Sequence, residues 1–310
     1  MQIYHDHRVA RRSRRTALAV GNFDGVHIGH RHLLATVREA AARIGGDAVV
    51  LTFEPHPTRV LAPERASALI TGLDRKLELL AAEGLDAAVV LRFDHSFAAQ
   101  SPRDFVASVI AGLGAREVFV GADFRFGHDR SGDGAVLAAM GADFDFSAQV
   151  VPQVTDVEGA VVSSSRVRKC LAEGDLATAK RLLGRDFDLD GLVVQGDRRG
   201  RTLGFPTANL ATPCEALPRD GVYAARVRAL GGDGREHPAV LNIGHRPTFR
   251  AGRSVEAHLL DGDHALYGRT LRVTFVARLR DERRFDGVDA LVAQIRRDVD
   301  DAREILQRRD

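Results

Sequence analysis

The 310-residue sequence lacks the features that define several special protein classes. It contains only two cysteines, Cys170 and Cys214, no tryptophan, and no run of eighteen apolar residues. Two distant cysteines exclude a disulfide framework and a CxxC metal site, and without a long apolar run no transmembrane helix is expected. The formal net charge of +2 is too small to indicate nucleic acid as the main partner. We therefore expect a cytoplasmic protein without a nucleic-acid or membrane partner, whose oligomeric state, a homo-oligomer included, stays open.

Two common nucleotide-binding signatures are also missing, because neither GxxxxGK[ST] nor GxGxxG occurs. The basic run RRSRR at 11–15 is followed by only four apolar residues, ALAV, which is too short for the apolar core of a signal peptide. We interpret these arginines as a solvated flank. What remains is the composition of an ordinary globular protein, 45% apolar and 28% charged, of a length that predicts two domains.

The stretch AVGNFDGVHIGH at 19–30 carries the clearest signal of a site. An apolar run ends at Val20, turn-forming glycines follow, and helical spacing of apolar residues begins near Gly29. A strand-to-helix junction offers unpaired N–H groups to a phosphate. His27 and His30 share one face of the first turn, where they could donate hydrogen bonds to a phosphate. Their spacing does not fit the zinc helix, which needs histidines four apart.

The rest of the first half alternates strands and helices. Strands are predicted at 47–53, 86–93 and 117–124, and helices at 74–84 and 101–114. This alternation predicts a parallel sheet with helices on its faces, which binds ligands beyond the carboxyl ends of its strands. TFEPHP at 52–57 and GADFRFG at 121–127 follow two such ends, although Glu54 and His56 also fit a rigid turn and Asp123 also fits a cap.

The segment VVSSSRVRKCLAEG at 161–174 adds a second candidate phosphate site. Its serines precede a helix that begins with basic residues, and serine hydroxyls, a helix N-terminus and arginine all suit a phosphate chain. An ordinary serine N-cap beside surface arginines is the alternative interpretation.

The second half changes to short strands separated by glycine turns. Strands are predicted at 191–196, 221–230, 237–244, 254–261 and 270–279, which indicates a small antiparallel barrel. An apolar stripe over 287–308 predicts a terminal helix that packs on it. Thr207 and Asn209 point the same way in an extended chain, and their neutral oxygens suit Mg²⁺ held mainly by ATP phosphates. Glu256 is a candidate general base, although turn residues and a solvated barrel face would explain all three.

Two sets of motifs resemble one known family. In the first half, GNFDGVHIGH, TFEPHP, GADFRFG and SSSRVR resemble the adenylyltransferase module of bacterial bifunctional FAD synthetases, a branch of the HIGH-motif nucleotidyltransferases. In the second half, GRTLGFPTANL, GVYA, NIGHRPTF, VEAHLLD and LYG resemble riboflavin kinase. The resemblance implies a Rossmann-like nucleotidyltransferase domain at 1–185 and a riboflavin kinase barrel with a terminal helix at 186–310.

The resemblance also implies roles for individual residues. The kinase would transfer the γ-phosphate of Mg-ATP to riboflavin, and the other domain would join FMN to AMP from a second ATP, releasing pyrophosphate. His27, His30 and Glu256 would be catalytic. ATP in the adenylyltransferase would contact Gly21, Phe23, Asp24, Gly29, Ser164, Ser165, Arg166 and Arg168, and FMN would contact Glu54, His56, Asp123 and Phe124. In the kinase, Gly196, Gly200, Arg201, Thr207 and Asn209 would bind ATP, with Mg²⁺ on the last two. Phe, Tyr or aliphatic side chains must hold the flavin ring, since the chain has no tryptophan.

Two other interpretations remain at this stage. A fragment of a class I aminoacyl-tRNA synthetase would also carry HIGH, but it predicts a lysine-rich second signature that the sequence does not show. A flavin-binding regulatory protein that keeps one of the two activities predicts damage in one motif set, and both sets look intact.

Overall fold

A computed structural model describes residues 1–8, 15–196, 200, 203–245, 253–262 and 266–308. By its internal packing the chain divides into two compact units. The first comprises residues 1–67 and 73–163, and the second comprises residues 68–72 and 164–310. The domain boundary between residues 185 and 186, which the family resemblance implies, remains a prediction. Arg201 and most of the basic run at 11–15 lie outside the described residues.

The first unit is a six-stranded parallel sheet with helices. Its strands are β1 (Gln2–Tyr4), β2 (Thr16–Val20), β3 (Asp47–Glu54), β4 (Ala87–Arg92), β5 (Ala115–Gly121) and β6 (Ser147–Val151). Its helices are α1 (Ile28–Ile44), α2 (Pro57–Leu61), α3 (Leu73–Ala82), α4 (His95–Ala98), α5 (Pro102–Phe105) and α6 (Gly134–Met140). The strand order is β1-β4-β3-β2-β5-β6, with all pairs parallel.

This order reverses direction between β2 and β5, the switch point at which open α/β sheets form a ligand crevice. Both faces of the sheet are covered. Leu18 and Val20 of β2 belong to one apolar cluster, whereas Ala17 and Ala19 pack with α1 in another. Every residue of β2 is consequently buried, as expected for a central parallel strand. The rigid sheet therefore fixes the position of the loop that leaves β2.

The second unit is a closed antiparallel barrel. Its strands are β7 (Asp188–Val194), β8 (Ala208–Ala211), β9 (Gly221–Ala229), β10 (His237–His245), β11 (Arg253–Leu259) and β12 (Thr270–Arg280), in the order β10-β11-β8-β7-β12-β9. Its helices are α7 (Ser164–Glu173), α8 (Leu176–Leu183) and α9 (Val288–Gln307). Val299, Ala302 and Leu306 of α9 pack against Val222 and Val240 on the outside of the barrel wall.

The predicted fold class is confirmed in both units, with some differences in detail. β1, β6 and the four-residue β8 were not predicted as strands, and β5 ends at Gly121 rather than at 124. The helix predicted over 101–114 is the short α5 followed by a π-helical turn at Val106–Ile110. None of the helices in the described parts of the chain is both long and apolar enough to cross a membrane.

Candidate active sites

The loop from Gly21 to His27 joins β2 to α1 at the carboxyl edge of the sheet. Phe23, Gly25 and Val26 have backbone φ angles of 52°, 83° and 40°. Left-handed angles of this kind are costly for residues that carry a bulky side chain. Phe23 and Val26 are each only 1% exposed, so that burial of both side chains offsets the strain. The fold therefore holds this loop in one shape.

The two histidines of the loop form a stacked pair. His27 is the N-cap of α1, and its Nδ1 accepts a hydrogen bond from the backbone N–H of His30 at 3.2 Å. A neutral ring whose Nδ1 accepts in this way carries its proton on Nε2. The two ring centroids lie 3.6 Å apart, and His30 also contacts the edge of Phe23. Imidazole nitrogens therefore lie at a helix N-terminus, where anions are favoured.

His30 is held as a neutral ring. Its Nδ1 is shielded from solvent and has no hydrogen-bond partner within the described residues. Burial lowers the pKa of His30 well below its usual value, and repulsion by His27 and Lys76 acts in the same direction. At pH 7 the ring is thus a hydrogen-bonding group and not a cation. A buried nitrogen without a hydrogen-bond partner destabilises a folded protein. Such a group is typical of a site where a bound ligand supplies the partner.

Lys76 on α3 belongs to the same region, although none of the sequence motifs includes it. The residue is only 7% exposed. Its Nζ donates hydrogen bonds to Thr52 Oγ1 at 3.3 Å and to the Asn22 carbonyl at 3.4 Å. The signal was present, since Lys76 interrupts the apolar stripe of α3, which consists of Leu73, Leu77 and Leu80. A charge on the buried face of a helix indicates a specific role.

The residues predicted on the flavin side follow two other strand ends of this sheet. Glu54 ends β3, and His56 is the N-cap of α2, with its Nδ1 2.8 Å from Thr58 Oγ1. This is the turn arrangement that the sequence also allowed for His56. Asp123 and Phe124 lie in the turn after β5, where the Phe124 N–H donates to the Gly121 carbonyl. The sheet therefore places these residues at the edge that carries the histidines, and their contact with FMN remains a prediction.

A chain of aromatic rings runs along this edge. Successive ring centroids lie 5.4–6.0 Å apart, and the members are Phe53, Phe93, Phe97, Phe105, Phe126 and Phe124. Phe124 and Phe126 at its end are stacked, with 19° between their planes. The sequence does not reveal this cluster, because its members come from β3, from the loops after β4 and β5, and from α4 and α5.

The serine–arginine segment begins α7 in the second unit. Ser164, Ser165 and Arg166 form the first turn of this ten-residue helix. Arg168 Nε donates to the Ala68 carbonyl at 2.7 Å, so one of its donors is engaged in holding the segment 68–72. The triphosphate role of these residues remains a prediction.

The predicted kinase residues meet on the outer wall of the barrel. In the strand register, Asn209 of β8 lies opposite Glu256 of β11, and Glu256 lies opposite Asn242 of β10. Asn242 also pairs with Val222, whose side chain packs under α9, so this row faces outwards. The Cβ atoms of directly opposed residues are about 5 Å apart. The register thus brings the predicted base next to a predicted metal ligand.

Two glycines let the loop after β7 approach this wall closely. A Cβ on Gly196 would lie 2.0 Å from Asn209 Nδ2, and a Cβ on Gly200 would lie 3.4 Å from Thr207 Oγ1 and 2.3 Å from the Phe205 carbonyl. Any larger residue would displace these groups. All the predicted kinase residues that the structure describes are therefore adjacent.

The donor set here fits a magnesium ion bound with a nucleotide. Asn209 is 9% exposed, and its Oδ1 is buried without a hydrogen-bond partner in the described part of the chain. A buried acceptor without a donor suits a hard cation, and one or two protein oxygens suffice when phosphates complete the shell. No group of three His, Cys, Asp or Glu side chains that could hold a metal alone occurs in the described ranges.

Two family models match the chain in succession. The FAD synthetase model matches residues 9–166, and the riboflavin kinase model matches residues 183–306. A crystal structure of a macrolide-efflux protein from Streptococcus pneumoniae superposes with a TM-score of 0.84 at 30% identity, over 98% of this chain and 99% of that one. Efflux is named for that protein alone, and what the two chains share is the fold.

Curated relatives cover nearly the full length. The bifunctional riboflavin kinase/FMN adenylyltransferase of Escherichia coli (strain K12) is 42% identical over 292 residues, which are 93% of this chain and 92% of the relative. The protein of the same name from Bacillus subtilis (strain 168) is 34% identical over 311 residues, 97% of this chain and 96% of the relative. These matches disfavour the synthetase-fragment interpretation. The chain belongs to the family of bifunctional riboflavin kinase/FMN adenylyltransferases.

Proposed function

We propose that this chain converts riboflavin to FMN on its barrel and FMN to FAD at the histidine loop, with ATP as co-substrate of both steps. One observation carries the proposal. Each of the two motif sets holds a buried polar atom that lacks a hydrogen-bond partner among the described residues, His30 Nδ1 in one unit and Asn209 Oδ1 in the other. Such atoms are costly unless a ligand satisfies them.

In the kinase step, Glu256 takes the proton of the riboflavin 5′-hydroxyl while the hydroxyl oxygen attacks the γ-phosphorus of ATP. The bond from that phosphorus to the β,γ-bridging oxygen breaks, and ADP leaves. Thr207 and Asn209 hold Mg²⁺ together with the ATP phosphates, and Gly196, Gly200 and Arg201 complete the nucleotide site. When bound, the cation neutralises charge on the transferred phosphoryl group. Positioning and charge stabilisation are sufficient for this chemistry, and no covalent enzyme intermediate is needed.

In the adenylyl step, a phosphate oxygen of FMN attacks the α-phosphate of ATP, and the bond from the α-phosphorus to pyrophosphate breaks. His27 and His30 donate hydrogen bonds to the α-phosphate oxygens at the N-terminus of α1. Gly21, Phe23, Asp24 and Gly29 shape the ATP side of the loop. Ser164, Ser165, Arg166 and Arg168 hold the departing pyrophosphate.

The flavin of the adenylyl step lies against the aromatic chain of the first unit. Half-buried Phe124, which stacks on the buried ring of Phe126, offers an apolar ring face at the strand ends, and aromatic rings favour offset stacking on other ring systems. Glu54, His56 and Asp123 at the same edge provide polar contacts. Phenylalanine rings thus take the role of tryptophan, which the chain lacks.

The direct test is incubation with riboflavin and Mg-ATP, followed by chromatography of the flavins. FMN should appear first and FAD should follow as FMN accumulates. A protein that forms FMN but never FAD, or FAD only from added FMN, is the regulatory alternative with a single activity. Formation of neither product contradicts the proposal. Neither Cys170 nor Cys214 forms a disulfide in the part of the chain that the structure describes, which fits the proposed cytoplasmic location.

Gly196→Ala should lower riboflavin phosphorylation by about tenfold, because the added Cβ would overlap Asn209 Nδ2 and displace it by up to ~1 Å. Adenylylation of added FMN should not change. Gly287→Ala is the matched control, since a Cβ at Gly287 meets no atom within 4 Å. Steady-state rates for both variants decide the matter, and equal kinase rates would show that Gly196 does not constrain Asn209.

We also propose that the kinase groups all lie after residue 185. A fragment of residues 164–310 should melt cooperatively and form FMN but never FAD. A fragment of residues 186–310 lacks α8, which packs on β12 and buries Leu182 and Leu183, so it should melt at a lower temperature. If both fragments fold but phosphorylate riboflavin only when residues 1–163 are added, the kinase site is shared and the proposal fails.

A further inference from the structure

Lys76 is a buried ammonium whose two hydrogen-bond partners are both neutral. The Thr52 hydroxyl and the Asn22 carbonyl accept its two long hydrogen bonds, and Thr52 Oγ1 also donates to that carbonyl at 3.2 Å. No carboxylate lies within ion-pair distance of its Nζ in the ranges that the structure describes. An ammonium taken from water without a paired anion is costly in a folded protein. The cost is explained if an anion arrives with the substrate.

The surroundings of Lys76 show where its charge acts. Burial lowers the pKa of Lys76, whereas the carboxylates of Glu54 and Asp24 raise it. The same ammonium contributes to the lowered pKa of His30, so its field reaches the stacked histidines. Asn22, whose carbonyl it binds, begins the strained loop that leads to them. Lys76 therefore lies against the first part of the histidine loop, where its Nζ binds Asn22 of that loop and Thr52 of β3.

We propose that Lys76 is a positioning residue of adenylyl transfer, whose fixed positive charge offsets the repulsion between the FMN phosphate and the ATP phosphates. This inference rests on the proposed function. The attacking phosphate and the triphosphate are both anionic, and a preorganised cation in a buried position lowers the cost of bringing them together. Lys76 acts through the field at the loop and at His30 and makes no bond to the reacting atoms.

A purely structural role of Lys76 would give a different pattern of rates among variants. If Lys76 only anchored the loop through hydrogen bonds, glutamine, which keeps N–H donors, would preserve much of the rate, and Thr52→Val would cost as much as Lys76→Met. If the charge matters, Lys76→Gln and Lys76→Met should be equally impaired, Lys76→Arg should restore most of the rate, and Thr52→Val should have a small effect.

The experiment measures kcat and KM for FMN adenylylation in the full-length chain with these four variants. If the charge acts over about 8 Å at an effective dielectric constant of about 20, its loss corresponds to about a thirtyfold change in rate. We therefore expect kcat to fall about thirtyfold in Lys76→Met and Lys76→Gln. The KM for FMN should change less, and riboflavin phosphorylation by the same chain should stay at the parent rate.

An NMR titration and a variant of His30 complete the test of the role of Lys76. Pyrophosphate alone should shift the Lys76 ammonium NMR signal of the unmutated protein, assigned by its loss in Lys76→Arg, and this arm applies even if the other variants do not fold. An unshifted signal, or parent-level kcat in Lys76→Met, overturns the inference. His30→Ala separates the two claims. If it loses adenylylation while Lys76→Met does not, only the role of Lys76 is wrong, and if neither loses it, the proposed site itself is wrong.

Discussion

Replacing Glu256 by glutamine should lower riboflavin phosphorylation by about two to four orders of magnitude, the usual contribution of a general base. Glutamine keeps the size and shape of the side chain but does not accept a proton from the 5′-hydroxyl. The register supports this role, because Glu256 lies opposite Asn209, and a Cβ on Gly196 would meet the Asn209 amide. Rates of FMN formation from riboflavin at saturating Mg-ATP provide the measurement.

The same variant should still adenylylate added FMN at the parent rate, which shows that the chain is folded. Glu236→Gln is the matched control, since Glu236 is an exposed carboxylate of the same unit. Loss of both activities in Glu256→Gln would indicate misfolding or one shared site. A Glu256→Gln variant as active as Glu236→Gln would mean that Glu256 is only a polar residue on the barrel surface.

The sequence predicts those parts of the fold that local patterns encode. Alternating apolar runs and glycine stops predict the parallel sheet and α1, because burial on both faces leaves continuous apolar strands. β8 was missed as a strand because it is only four residues long and lies between the turn-forming Pro206 and Pro213. It is a strand because β7 and β11 pair with it on both sides, and distant pairing partners leave no local signal.

The sequence predicts which residue types form the candidate sites, but not which of these residues are in contact. Neighbouring motif residues such as His27 and His30 could be paired from spacing alone, whereas the opposition of Asn209 and Glu256 depends on barrel register. Arg168 was assigned to ATP, and the sequence could not show that its Nε binds the distant Ala68 carbonyl. Lys76 was visible as a charge on an apolar stripe, but its acceptors come from β3 and from the loop after β2.

Replacing His30 by alanine should lower FAD synthesis from FMN by about a hundredfold or more, the scale of removing one preorganised donor to a developing charge. The neutral ring of His30 sits at the N-terminus of α1, stacked on His27 and in contact with Phe23. Because the ring is neutral at pH 7, the variant loses a hydrogen bond and not a charge. Its defect should therefore be similar at low and at high salt.

His32→Ala is the matched control for this prediction, because His32 is an exposed histidine on the same helix and should retain the parent rate. Riboflavin phosphorylation should be unaffected in both variants, since the kinase residues belong to the other compact unit. The measurement is the initial rate of FAD and pyrophosphate formation at saturating FMN and ATP. If His30→Ala forms FAD as fast as His32→Ala, the buried Nδ1 does not serve the reaction, and the α-phosphate must be stabilised by other groups of the loop.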